Sequence, residues 1–90
     1  LFTTIISPEA LYERLGSSDL VILDCRHSLA DFTLGRRLYD ESHIPGAFFA
    51  GVEEVLAGPK TGKNGRHPLP DPQTFARFLC ERGVNDATQI

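Results

Sequence analysis

The chain has 90 residues, 41% of them hydrophobic and 23% charged, with no Met or Trp; this describes one globular unit and excludes tandem arrays and multidomain machines. Nine basic against twelve acidic residues leave a net charge of -3, which argues against a dedicated nucleic-acid binder, although a local basic patch stays open. No apolar run approaches the roughly 18 residues of a membrane span, and the opening LFTTIIS lacks the basic region and small-residue cleavage site of a secretory signal. Cys25 and Cys80 stand far apart and outside any C-x-x-C pair, so neither a disulfide scaffold nor a structural zinc site is expected. Two separated thiols suit a reducing cytoplasm, with a single bridge between them left open, and Leu1 in place of Met points to a processed or trimmed start.

In chain order, residues 3–6 form a short β-prone run. Ser7-Pro8 then reads as a helix N-cap and first residue, Leu11 and Leu15 recur at i, i+4, and Gly16 stops the helix. LVIL at 20–23 is continuously apolar and of strand length, the pattern of a strand covered on both faces of a parallel sheet. Asp24-Cys25-Arg26-His27 falls at its C-terminal edge, where open α/β sheets place ligands. Two helical turns are predicted over 36–42, ended by Pro45 and Gly46; Phe48-Phe49 reads as a short strand and 52–56 as another helical turn. Residues 58–70 are a loop by their glycines and prolines. Asp71-Pro72 repeats the cap-plus-proline opening, Phe75, Phe78 and Leu79 share one face, and Gly83-Val84 closes that helix before a new strand expected at Ile90. This is an α/β order with a central, mostly parallel sheet, and it ends unfinished.

Charge is uneven: residues 1–54 carry four basic and nine acidic groups, 55–70 three basic and none acidic, and 71–90 two and three. The loop holding Lys60, Lys63, Arg66 and His67 is thus the one basic island, suited to an anionic ligand or to plain solvation. GPKTGKNG is not a phosphate-binding P-loop. Ala57 and Asn64 stand where that motif needs glycine and Ser or Thr, and prolines follow where it needs a helix. Cys25 lies beside Arg26 and His27, cations that favour a thiolate, but Asp31 occupies the place of the arginine in a C-x5-R phosphate loop. Buried, inert cysteine is the expectation for both Cys25 and Cys80. Within residues 39–47, Pro45 keeps Ile44 out of the α region, Gly46 accepts positive φ, and His43 offers ring nitrogens to a turning backbone, which predicts a structural corner.

LVILDCR followed by YDESHIPGAFF resembles the signature of the rhodanese-like sulfurtransferases. The longer series, S-x-E-A-L, L-D-C-R, L-G-R-R, H-I-P-G-A-F-F, H-P-L-P and F-x-x-x-L-x-x-x-G-V, is similar to the N-terminal domain of a tandem thiosulfate or 3-mercaptopyruvate sulfurtransferase over residues 5–90. The resemblance implies an α/β, rhodanese-like domain of which residues 1–90 are the N-terminal part, ending before a cysteine loop that follows the next strand. It implies sulfur transfer by the parent protein through a cysteine persulfide, without metal or organic cofactor. The implied partners are a small anionic sulfur donor, a thiol or cyanide acceptor and a second rhodanese-like domain of the same chain. In mercaptopyruvate members an acid and a histidine of the N-terminal domain stand beside the nucleophile. Through H-I-P-G-A-F-F and H-P-L-P these fall on Glu53, in place of the family's Asp, and on His67. Arg66, with Lys60 and Lys63, would supply positive field for the donor. The alternatives are a non-catalytic module that positions a partner protein, and a phosphatase of related fold, which needs a longer cysteine loop with arginine.

Overall fold

Capping chemistry sets the helices in the computed structural model, which describes residues 2–90. Helix α1 spans Pro8–Arg14; the Ser7 hydroxyl accepts the Ala10 amide at 3.2 Å, and Pro8 has no N–H to leave orphaned. Helix α3, Pro72–Glu81, opens the same way, with the Asp71 carboxylate taking the Thr74 amide and hydroxyl, each at 2.9 Å. Those bonds, the Thr74 amide first, hold the Asp71 carboxyl below its ordinary range. At its far end Gly83 turns to φ 82°, so that its amide reaches the Cys80 carbonyl and the Val84 amide the Leu79 carbonyl. This paired closure satisfies the last carbonyls, and the sequence reads it correctly from Gly83-Val84.

Between these helices lie β1 (Leu23–Asp24), α2 (Leu34–Glu41), β2 (Phe48–Phe49) and one turn of π-helix at Val52–Leu56. The strands are parallel, with Leu23 opposite Phe48 and Asp24 opposite Phe49. Phe48 donates to the Ile22 carbonyl and Ala50 to the Asp24 carbonyl, both at 2.9 Å. On the other side of the same strand, Leu20 bridges Gln89 in parallel, and the Val21 amide donates to the Gln89 carbonyl at 2.9 Å. The LVIL run therefore has a neighbour on each side, as its uninterrupted hydrophobicity predicts; of the strand expected at Ile90, the described residues show one isolated bridge at Gln89.

Three sequence expectations differ from what is found. Residues 3–6 form no strand: a β-prone run needs a partner edge, and here only Phe2 is tied, its amide donating to the Gln89 side chain at 3.1 Å, while Ile5 is 90% exposed. The LVIL run is not covered on both faces, since only Val21 of the four is buried; among the described residues the buried hydrophobic set is Val21, Ala47 and Ala50. Cys25 and Cys80 are exposed and free rather than buried, because among the described residues nothing covers the end of β1 or that side of α3.

Helix α2 approaches the chain leaving β1 so closely that only glycine fits. A Cβ on buried Gly35 would overlap the Arg26 carbonyl oxygen. Gly35→Ala is expected to destabilise the parent protein by about 1 to 3 kcal/mol through overpacking, read as a lower denaturation midpoint. An unchanged midpoint would mean that this backbone contact yields freely. Packing elsewhere uses rings and cations: the Arg82 guanidinium lies 3.6 Å from the Phe78 ring centre and 5.9 Å from that of Phe48, and so joins α3 to β2.

Candidate functional site

The corner after α2 is built as the sequence predicts. The Tyr39 carbonyl can only accept, so Nδ1 of His43 carries the proton and donates to it at 2.7 Å; the two rings stack with centres 3.8 Å apart. The Tyr39 hydroxyl donates to the Ala47 carbonyl at 2.7 Å across the turn, which Gly46 makes at φ 82°. Arg26 completes the corner by donating to the Ser42 carbonyl at 2.8 Å and gripping the Asp24 carboxylate with two guanidinium nitrogens. His43 is thus occupied by the backbone.

That grip has a pH signature. Hydrogen bonding to Arg26 is the main cause that holds the Asp24 carboxyl below its ordinary 3.8, against the opposing cost of burial. A depressed folded-state value gives stability that is fully present above 3.8 and is lost as pH falls through the lowered value. In the parent protein, Asp24→Asn is expected to flatten that acid limb in urea unfolding followed against pH; an identical slope in the variant would remove Asp24 from the account. Cys25, next in sequence, is the reverse of an activated thiol. Desolvation, and then the Asp24 carboxylate, push it up from its ordinary 9.0, and Arg26 is already engaged with that carboxylate.

A second cluster faces the basic loop. The π-helix carries Glu53 in its first turn, with the Leu56 and Ala57 amides reaching back five residues to Gly51 and Val52. Immediately after it, the Gly58 amide donates to the Pro68 carbonyl at 2.9 Å, and a Cβ at Gly58 would meet the Leu69 carbonyl oxygen at 2.7 Å. This close approach folds the loop back on the π-helix. Asn64 braces it from inside, accepting the Thr61 amide at 2.9 Å and donating to the Pro59 carbonyl at 3.2 Å. His67 is thereby set beside Glu53: Nε2 donates to Oε1 at 2.8 Å, with the side chains 32% and 35% exposed.

The structure brings a third group to this pair. His27, just past β1, stacks on Phe32 with ring centres 5.5 Å apart and meets the His67 ring edge-on at 6.0 Å. One ligand atom from each of His27, Glu53 and His67 falls within 4.8 Å of the others. Sequence reading passed over His27 in favour of Cys25; the signal that finds it is its place at the C-terminal edge of a parallel strand. Arg66, Lys60 and Lys63 are exposed on the loop that carries His67, and among the described residues their side chains make no hydrogen bond or ion pair. Chemically, the cluster offers a carboxylate-oriented imidazole and a second imidazole, groups able to place or remove a proton.

The comparisons agree with this architecture. A family model described as "Rhodanese-like domain" matches residues 7–90. The chain is 44% identical over 87 residues to a Pseudomonas aeruginosa protein named "Probable 3-mercaptopyruvate sulfurtransferase", covering 96% of this chain and 31% of that one. It is 35% identical over 63 residues to SseB of Mycobacterium tuberculosis, provisionally named a thiosulfate sulfurtransferase, covering 70% of this chain and 22% of that one. The chain thus spans about a third or less of the length of these relatives. No solved structure gives a significant match. No helix among the described residues is long and apolar enough to cross a membrane. A parallel sheet with flanking helices, matched from 7 to 90, places the chain in the rhodanese-like domain family.

Proposed function

We propose that these residues are the N-terminal part of a rhodanese-like domain in a longer cytoplasmic sulfurtransferase, one that moves sulfane sulfur from 3-mercaptopyruvate or thiosulfate to a thiol or cyanide. The observation that carries this reading is the 2.8 Å contact between His67 Nε2 and Glu53 Oε1 on the basic loop of a rhodanese-like chain. In the proposed reaction with mercaptopyruvate, a cysteine thiolate outside these residues attacks the donor sulfur. An S–S bond forms, the C–S bond breaks, and the electron pair leaves on the pyruvate enolate, which takes a proton. The acceptor then removes the outer sulfur and regenerates the thiolate. Glu53 orients the His67 imidazole, and His67 positions the donor or handles that proton. Arg66, with Lys60 and Lys63, draws in an anionic donor toward a thiolate that is itself anionic. A second rhodanese-like domain of the parent would close the other side of the site.

The test is turnover by the parent protein with mercaptopyruvate or thiosulfate and cyanide, read as thiocyanate formed. The expected result is turnover that survives Cys25→Ser, because the Cys25 thiol is raised and unactivated. Turnover abolished by Cys25→Ser would place the nucleophile inside this chain and overturn the assignment. No turnover with either donor would favour the partner-positioning module.

A further inference from the structure

The His27, Glu53 and His67 cluster has the makings of a transition-metal site. Two imidazoles and one carboxylate are a donor set for Zn²⁺ and its neighbours Co²⁺, Ni²⁺ and Cu²⁺, and a poor one for Mg²⁺ or Ca²⁺, which take all-oxygen shells. The ligand atoms already converge within 4.8 Å. Around a tetrahedral ion at about 2.0 to 2.2 Å, ligand atoms stand roughly 3.4 Å apart, so closure requires movements of about 1 Å. Glu53 and His67 are about one-third exposed and held by one hydrogen bond, which leaves them that freedom. An independent observation comes from His27: its Nε2 is shut off from solvent and meets no hydrogen-bond partner among the described residues, a costly state for a ring nitrogen that a ligand would relieve. Stacking on Phe32 holds the ring in place, as a site ligand needs.

We infer that His27, Glu53 and His67 bind one divalent transition-metal ion, which occupies the Glu53–His67 pair and, on the sulfur-transfer reading above, inhibits the parent enzyme reversibly. Binding replaces the hydrogen bond from His67 Nε2 to Glu53 Oε1 with bonds to the ion; the Nε2 proton moves to Nδ1 or to solvent. With three protein ligands the ion keeps an open position for water. The carboxylate then no longer orients an imidazole toward a donor, so metal occupancy and that arrangement exclude each other.

The experiment uses the full-length parent, titrated with Co²⁺ and, separately, Cu²⁺. One equivalent of Co²⁺ is expected, with ligand-field bands and no sulfur-to-metal charge-transfer band, and the Cu²⁺ resonance is expected to show coupling to two imidazole nitrogens. Loss of one ligand typically weakens such a site by about 10-fold or more, so His27→Gln, Glu53→Gln and His67→Gln should each do so, with unchanged binding in Cys25→Ser and Cys80→Ser. Sulfur-to-metal charge transfer, one imidazole nitrogen or none, or full affinity in His27→Gln would overturn the site. The Cu²⁺ readout on unmodified protein decides the matter even where a variant fails to fold. Binding without inhibition of turnover by Zn²⁺ would leave the site standing and overturn only the regulatory half, whereas a parent with no turnover at all would tell against the sulfur-transfer reading and not against the site.

Discussion

His67→Ala in the parent protein is expected to lower kcat/KM for mercaptopyruvate by about 10²-fold or more, the usual cost of losing a positioned proton-transfer or orienting group. The thermal midpoint should stay close to that of the unmodified protein, since His67 belongs to a loop and, among the described residues, its one side-chain hydrogen bond is to Glu53. Glu53→Gln should lower the rate in the same direction by a smaller factor. An amide oxygen still accepts from Nε2, but without the charge that stabilises a protonated ring. Because the two groups act as one unit, the double variant should fall little below His67→Ala alone. Additive losses would mean separate roles, and an unchanged rate in a folded His67→Ala protein would remove the residue from the site.

How far the sequence carried this picture depends on the range of the physics involved. The caps at Ser7, Asp71 and Gly83 involve neighbours three to five residues away, so local chemistry is enough to read them. Most of the corner at 39–47 is likewise local, two of its bonds joining residues four and eight apart, though Arg26 reaches it from 16 residues away. LVIL reads as a central strand, and it does have a neighbour on each side, although its faces are not both covered. Residues 3–6 show the reverse: β propensity without a pairing edge yields no strand. Burial of Cys25 and Cys80 was misjudged for a related reason, since what covers a side chain is set by distant elements. The pairing of Glu53 with His67 spans 14 residues and came from the family resemblance, not from spacing. His27 lies 40 residues from His67 and had no local signal beyond its place at a strand end.

The ninety residues on their own are expected to give little lasting hydrogen-exchange protection at the Val21, Phe48 and Ala50 amides. These three donate long-range bonds of the sheet, to Gln89, Ile22 and Asp24. A folded monomer of 9.9 kDa exposes about 5,200 Å² of surface. This chain exposes 6784 Å². The excess, roughly 1,600 Å² on this one chain, is about twice what one partner contributes to a standard protein interface. Its apolar share is visible: Ile5 and Leu69 are 90% exposed, and Ile5, Ile6, Val21, Leu23 and Ile90 line a groove beside the central strand. With three small or branched side chains as its buried hydrophobic set, the sheet has too little burial to offset the conformational entropy of ordering it. Burying the groove under the remainder of the parent should raise protection at the same amides by about 10³-fold or more, the level set by global stability in an ordinary domain. The comparison is therefore between the isolated chain, dilute and shown to be monomeric, and the same amides in the parent. Equal protection in the two would show that this sheet is stable without a covering element, and would overturn the reading of these residues as part of a larger domain.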